Sequence, residues 1–202
     1  MTVRHLLLDA DGVLQDLPGG WVAALEPWLG ERAEEFLRES VVAEQPCLVG
    51  DGDFAAVLAG QVARWGLTTD ARDLYRAVWH RIEVHADTLA LVRELRTAGT
   101  GVHLASTQES GRAAVMRGLY DGEVDMAYFS CDLGLLKTDP AFFRAVLADL
   151  GAGPSEACFV DDTLANVEAA RRAGLPALHW RHEQGVADLR TGVAGLGLPL
   201  AR

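Results

Sequence analysis

Lysine is almost missing from this chain: Lys137 is the only one, and every other basic residue is an arginine. Basic charge is scarce altogether, with 18 Lys and Arg against 29 Asp and Glu and a formal net charge of -11. A duplex-binding surface needs a basic face, and no Lys/Arg run supplies one, so nucleic acid is excluded as a general partner. Cysteine is sparse too. Cys47, Cys131 and Cys158 are far apart and form no CxxC pair, which excludes a disulfide framework and a zinc site of the usual spacing. Cys158 sits in an apolar run and reads as a small buried hydrophobe. Long apolar runs are absent: none approaches membrane-spanning length, and Leu6-Leu7-Leu8 is cut short by Asp9 before it could serve as a leader. The expectation is a cytoplasmic protein with no membrane partner; oligomeric state leaves no trace in the sequence.

What is present is an ordinary apolar content, 50% of 202 residues, enough for one full core and a smaller attached element. Short apolar runs at Val3–Leu8, Val102–Ala105, Met126–Phe129, Ala157–Val160 and Ala177–Trp180 fit buried strands, and helical patterns separate most of them. Asp87 can cap a helix over Thr88–Ala98 that stops at Gly99, and Asp139-Pro140 opens one that stops at Gly151. Thr163–Ala173 and Gly185–Val193 read as further helices. This alternation predicts an α/β fold with a mostly parallel sheet covered on both faces. From Asp16 to about Ala86 the pattern is helical throughout, with Trp21, Leu25, Trp28 and Leu29 at helical spacing, then Phe36, Leu37 and Val41, Phe54–Trp65 and Leu74–Val84. The domain expectation is a core of residues 1–15 and 87–202 with a helical cap at 16–86, placed over the C-terminal end of the first strand. An extra helical layer of the same core is the alternative.

Ligands of open parallel sheets bind beyond the carboxyl ends of the strands, so the residues that end each apolar run matter most. The first run ends in Asp9-Ala10-Asp11-Gly12, the second in Ser106-Thr107-Gln108, and the fourth in Asp161-Asp162-Thr163. Lys137 follows shortly after the third. Asp9 and Asp11 leave an extended backbone on the same side, and Gly12 allows the turn that follows. Four such carboxylates at one edge would repel, and a hard divalent cation resolves this; oxygen-only donors favour magnesium over zinc. Taken singly, Asp162 before a helix also reads as a cap. Lys137, in a chain that otherwise uses arginine, suggests a place where a compact ammonium fits and a planar guanidinium does not; chance survival is the alternative.

These segments resemble the motifs of the haloacid dehalogenase-like hydrolase superfamily. Asp9-Ala10-Asp11-Gly12-Val13-Leu14 looks like its DxDG(V/T)L motif, and Leu104–Glu109 is similar to its Ser/Thr-ended strand. Leu133-Gly134-Leu135-Leu136-Lys137 with Asp139-Pro140 resembles G-x-x-K-P-D-P, and Phe159–Thr163 with Asn166 resembles the acidic fourth motif. The resemblance runs from Val3 to about Trp180. It implies a Rossmann-like three-layer core with a small α-helical cap, and a magnesium-dependent phosphatase acting on a small phosphate ester. Asp9 would be the nucleophile and Asp11 the acid and base. Asp9, the Asp11 backbone carbonyl and Asp162 would hold Mg2+, with Asp161 orienting its waters. Ser106, Thr107 and Lys137 would hold the phosphoryl group. Departures are Thr138 in place of a common proline, Thr107 where Asn is frequent, Asn166 where many members carry an acid, and Gln15, which has no evident task.

Rival readings are a 2-haloacid dehalogenase using the same nucleophile, against which Asp11 argues, and a phosphoacceptor domain or a silent binding protein. His5 and His103 read as packed or edge histidines. His80, Arg81, Glu83 and His85 fit either a solvated helix face or the rim of the site. Trp21 and Trp28 fit either cap core or pocket wall. The cap holds no motif that names a substrate.

Overall fold

The computed structural model describes residues 3–198. In chain order the elements are β1 (His5–Leu8), β2 (Gln15–Asp16), α1 (Gly20–Leu29), α2 (Ala33–Glu44), α3 (Phe54–Arg64), α4 (Ala71–Val78), β3 (Glu83–Val84), α5 (Ala86–Thr97), β4 (Gly101–Ser106), α6 (Ser110–Leu119), β5 (Met126–Phe129), α7 (Ser130–Leu133), α8 (Pro140–Leu150), β6 (Ala157–Asp161), α9 (Leu164–Arg172), β7 (Ala177–His179) and α10 (Val186–Gly195). All five expected strands form one parallel sheet in the order β5-β4-β1-β6-β7. β1 is its centre: Leu8 lies level with Leu104 on one side and Val160 on the other. Leu6 and Leu8 pack into one apolar layer with Val102, Leu104 and Val160, while Leu7 packs into the opposite layer with Phe142, Phe143 and Phe159. Burial on both faces is why β1 is a continuous apolar run and not an alternating one.

The chain reaches β4 and β5 on one side of β1 before returning to β6 and β7 on the other. The connections therefore diverge at β1, and the crevice this opens lies beyond its C-terminal end. The segment inserted after β1 is helical and has its own apolar cluster, built on Leu25, Phe36, Phe54, Leu58, Leu74, Val78 and Trp79.

Three expectations need correction. The cap segment is not helical throughout: β2 and β3 pair antiparallel, Gln15 with Val84 and Asp16 with Glu83, so the two chain crossings between sheet and cap are tied together. Two residues per strand are too few to show an alternating pattern. The helix expected over Leu74–Val84 accordingly stops at Val78. Asp87 does not cap α5; His85 holds that position, and the Asp87 carboxylate accepts from the Thr88 N–H inside the first turn. Asp139, by contrast, caps α8 through the Ala141 N–H, with Pro140 following and Gly151 left-handed at the end. Cys158 is fully buried, as expected of a small hydrophobe. His103 is buried beside His5, their ring nitrogens 3.1 Å apart.

The cap meets the sheet domain at α6. The Tyr75 hydroxyl donates to Glu109 Oε1 at 2.5 Å, and Arg112 Nη1 donates to the Trp79 carbonyl at 2.5 Å. A second seat lies at Gly50, where an added Cβ would stand 2.5 Å from the Cys131 carbonyl oxygen. No helix among the described residues is long and apolar enough to cross a membrane.

Candidate active site

The turn after β1 is wound tightly around one carbonyl: the Ala10 oxygen accepts from the N–H groups of Val13, Leu14 and Gln15. Gly12 makes this possible. Its φ is +78°, and a Cβ there would lie 2.6 Å from Asp162 Oδ2, so the absence of a side chain brings the first and fourth motifs together. Gly12→Ala is expected to push Asp162 out of place and to reduce the thermal midpoint. A variant with an unchanged midpoint would show that this close approach carries no weight.

Asp9 follows β1 directly. Its N–H continues the ladder to the Val160 carbonyl, and its Oδ1 lies 2.6 Å from Lys137 Nζ. The same ammonium stands 2.7 Å from Asp161 Oδ2 at the end of β6. Asp161 also accepts from the Thr163 N–H and from Asn166 Nδ2, so Asn166 serves as a donor to this carboxylate. Asp9, Lys137 and Asp161 are all buried. Burial pushes the Asp9 carboxyl up to about 8, with Lys137 pulling the other way and the Asp161 charge adding to the rise. Burial works to lower the Lys137 ammonium, but the carboxylates of Asp9 and Asp161 outweigh it and hold it above the usual lysine range. A proton resting on Asp9 would remove one of the charges that hold Lys137, so these shifts belong to one cluster short of positive charge. Asp162 is raised as well, by burial and then by Asp161.

Carboxylate oxygens of Asp9, Asp161 and Asp162 lie within 4.8 Å of one another. Oxygen-only donors with one ammonium among them suit a hard cation such as magnesium. Asp11 stands apart from this cluster. Its Oδ1 accepts from Arg112 Nη2 at 2.6 Å and from Gln15 Nε2 at 2.8 Å, and its Oδ2 accepts from Gln108 Nε2 at 2.8 Å. Its carboxylate is thus directed toward α6, Gln15 and Gln108.

A cavity of about 400 Å³ opens over these groups. Asp9, Asp11, Asp162, Ser106, Thr107 and Lys137 all line it, as do Trp21 and Asp16 from the segment after β1. Every site residue expected from the sequence is therefore at this edge, with Asp161 just beneath it. Trp28 is not: it is exposed and does not line the cavity. His80 packs on Tyr75, and His85 stacks on His182 and reaches the lining residue Asp16 at 3.0 Å; neither histidine lines the cavity itself. Arg81 and Glu83 do not line it either.

Gln15 gains a task. It is fully buried, donates to Asp11 and accepts from the Tyr120 hydroxyl at 2.9 Å. Arg112, which nothing in its sequence neighbourhood singles out, is buried and joins Asp11 to the cap. Gln15→Leu is expected to strand the Tyr120 hydroxyl and cost about 1–3 kcal/mol in a urea titration. Adding Tyr120→Phe should return part of that loss; a loss that persists undiminished would refute the link.

A parallel sheet with a helical cap inserted after its central strand, and an aspartate–lysine cluster at the switch point, define a capped Rossmann-like α/β protein of hydrolase type. A family model described as haloacid dehalogenase-like hydrolase matches residues 3–174, and the chain belongs to that family. It is 30% identical over 192 residues to a phosphoglycolate phosphatase of Rhodospirillum rubrum, covering 87% of this chain and 78% of that one. It is 25% identical over 207 residues to an enolase-phosphatase E1 of a Bradyrhizobium species, covering 86% of each. The fold is shared with a HAD family enzyme of Bacteroides thetaiotaomicron solved with magnesium and inorganic phosphate, at a TM-score of 0.79, 20% identity, and coverage of 93% of this chain and 98% of that one.

Proposed function

We propose that this hydrolase is a magnesium-dependent phosphatase that cleaves a small phosphate ester through an aspartyl-phosphate on Asp9. The observation that carries the reading is the contact of Lys137 with Asp9 and Asp161 beside Asp162, with Asp11 two residues after the nucleophile on the same edge. The similarity to two phosphatases supports it. The accompanying division is a core of residues 1–15 and 87–202 and a cap of 16–86; residues 1–2 and 199–202 of that core lie outside the described residues.

In this mechanism an Asp9 oxygen attacks phosphorus while the bond to the leaving oxygen breaks, and Asp11 gives that oxygen a proton. Water then attacks the phosphorus of the aspartyl-phosphate. Asp11 takes the water's proton, the P–O bond to Asp9 breaks, and inorganic phosphate leaves. Lys137 balances the charge of Asp9, and Ser106 and Thr107 hold phosphoryl oxygens. Asp9, Asp162 and the Asp11 carbonyl would hold magnesium, with Asp161 orienting its waters; the bound ion neutralises charge growing on the transferring group. Asp11 would turn between its present partners and the leaving group, which makes Gln15, Gln108 and Arg112 its positioning residues.

The test is hydrolysis of a generic aryl phosphate with magnesium present and after chelation. Turnover that needs the metal supports the reading. Hydrolysis of a 2-haloacid that survives EDTA, without phosphatase activity, would overturn it.

A further inference from the structure

A second cavity, of about 100 Å³, opens within the cap, and all of its walls are cap residues: Trp21, Leu37, Val41, Glu44 and Trp79. Trp21 lines this cavity and the one over Asp9 alike, so the two are neighbours. Four walls are apolar. The two tryptophan rings stand 5.8 Å apart between centroids and are inclined at 54°, which gives a corner of aromatic faces.

The fifth wall is Glu44, the last residue of α2. No hydrogen bond or ion pair holds its carboxyl among the described residues, and its surroundings act on it only through burial and charge. Burial, and then the charge of Glu109, push it up to about 7, with Arg112 opposing. Arg112 gives Nη1 to the Trp79 carbonyl and Nη2 to Asp11, while its buried Nε has no hydrogen-bond partner among the described residues. Glu44 also stands at the C-terminus of a helix, where the peptide dipoles place further negative charge. The Arg112 guanidinium lies 5.0 Å from the Trp21 ring centroid, so this aromatic corner already attracts one cation; with a carboxylate that no ion pair holds and a helix C-terminus, it favours a further cation with apolar flanks.

We propose that this cavity is the leaving-group subsite and that it takes a small ammonium head, so that the substrates are phosphate esters of short amino alcohols. The proposal rests on the phosphatase reading above. Size supports it: a cavity of ~150 Å³ accommodates benzene, so about 100 Å³ suits a trimethylammonium group. A nucleobase or a long terpenoid chain would not fit.

The experiment compares kcat/KM for phosphocholine and for 3,3-dimethylbutyl phosphate, in which carbon replaces the charged nitrogen, with an aryl phosphate run alongside. The native protein should favour phosphocholine over its neutral counterpart by about 10-fold or more. In Glu44→Gln that ratio should fall toward one. Because a ratio is read, any general loss of activity cancels. The thermal midpoint of Glu44→Gln should be no lower than that of the native protein, since an uncompensated carboxylate has been removed. A native ratio near one, a ratio that survives in Glu44→Gln, or aryl phosphate turnover without turnover of either alkyl ester would each overturn the subsite. Failure to hydrolyse any ester, the aryl phosphate included, would instead overturn the phosphatase reading and this proposal with it.

Discussion

Asp9→Asn is expected to lower magnesium-supported turnover of an aryl phosphate by about 10⁴-fold or more, the scale on which removal of a covalent nucleophile acts. The substitution changes little else. Asparagine has the same shape, and its carbonyl oxygen can still accept from the Ala10 N–H, as Asp9 Oδ1 does at 2.7 Å. The cluster of Asp9, Asp161 and Asp162 around one ammonium carries an excess of negative charge, so neutralising Asp9 should not lower the unfolding midpoint. Asp11→Asn, in contrast, leaves the nucleophile in place: it removes proton transfer, worth about 10²- to 10⁴-fold, together with the ion pair to Arg112. Rapid quenching should find an acid-stable phosphoenzyme early in the native reaction and none in Asp9→Asn. An Asp9→Asn protein as active as Asp11→Asn would remove Asp9 from the nucleophile's role, whatever the fold.

Much of this edge can be read before any coordinates. Each buried strand is an apolar run with a clear polar end, and β1 gives the strongest case: Leu6-Leu7-Leu8 is buried on both faces and Asp9 marks the place where the sheet stops. Strand ends in a parallel sheet converge on one edge, so Ser106, Asp161 and Asp9 had to lie near one another once the sheet was inferred. Lys137 needed no periodicity at all, since its solitude among arginines singled it out.

The hidden parts share a physical cause: their meaning lies in partners distant in sequence. Arg112 meets Asp11 from 101 positions away and the Trp79 carbonyl from 33, and in isolation it looks like any arginine on a helix. Gln15 is unusual beside its motif, but its acceptor role depends on Tyr120, 105 positions on. Glu44 carries no signal because a glutamate at the end of a polar helix is normally solvated; only the packing of Trp21 and Trp79 beside it makes it part of a cavity wall. The β2–β3 tie escapes for a simpler reason, since two-residue strands leave no pattern.

Lys137 should be as decisive for stability as Asp9 is for turnover. Its Nζ lies 2.6 Å from Asp9 and 2.7 Å from Asp161, with the lysine side chain 2% exposed and that of Asp161 fully buried. Removing one partner of a buried charge cluster leaves the others without compensation, at a cost of about 3–5 kcal/mol. Lys137→Met keeps the apolar stem and discards only the ammonium, so lost packing is a small part of the effect. The urea midpoint of Lys137→Met should fall accordingly, and aryl phosphate turnover should be lost with it. Asp161→Asn in the same chain should return part of the stability, because one of the two stranded carboxylates is gone while the Asn side-chain oxygen can still accept from the Thr163 N–H. The two substitutions should therefore be less costly together than the sum of their separate effects. Strict additivity, or a Lys137→Met protein within about 0.5 kcal/mol of the native one, would mean that the ammonium does not hold these carboxylates together.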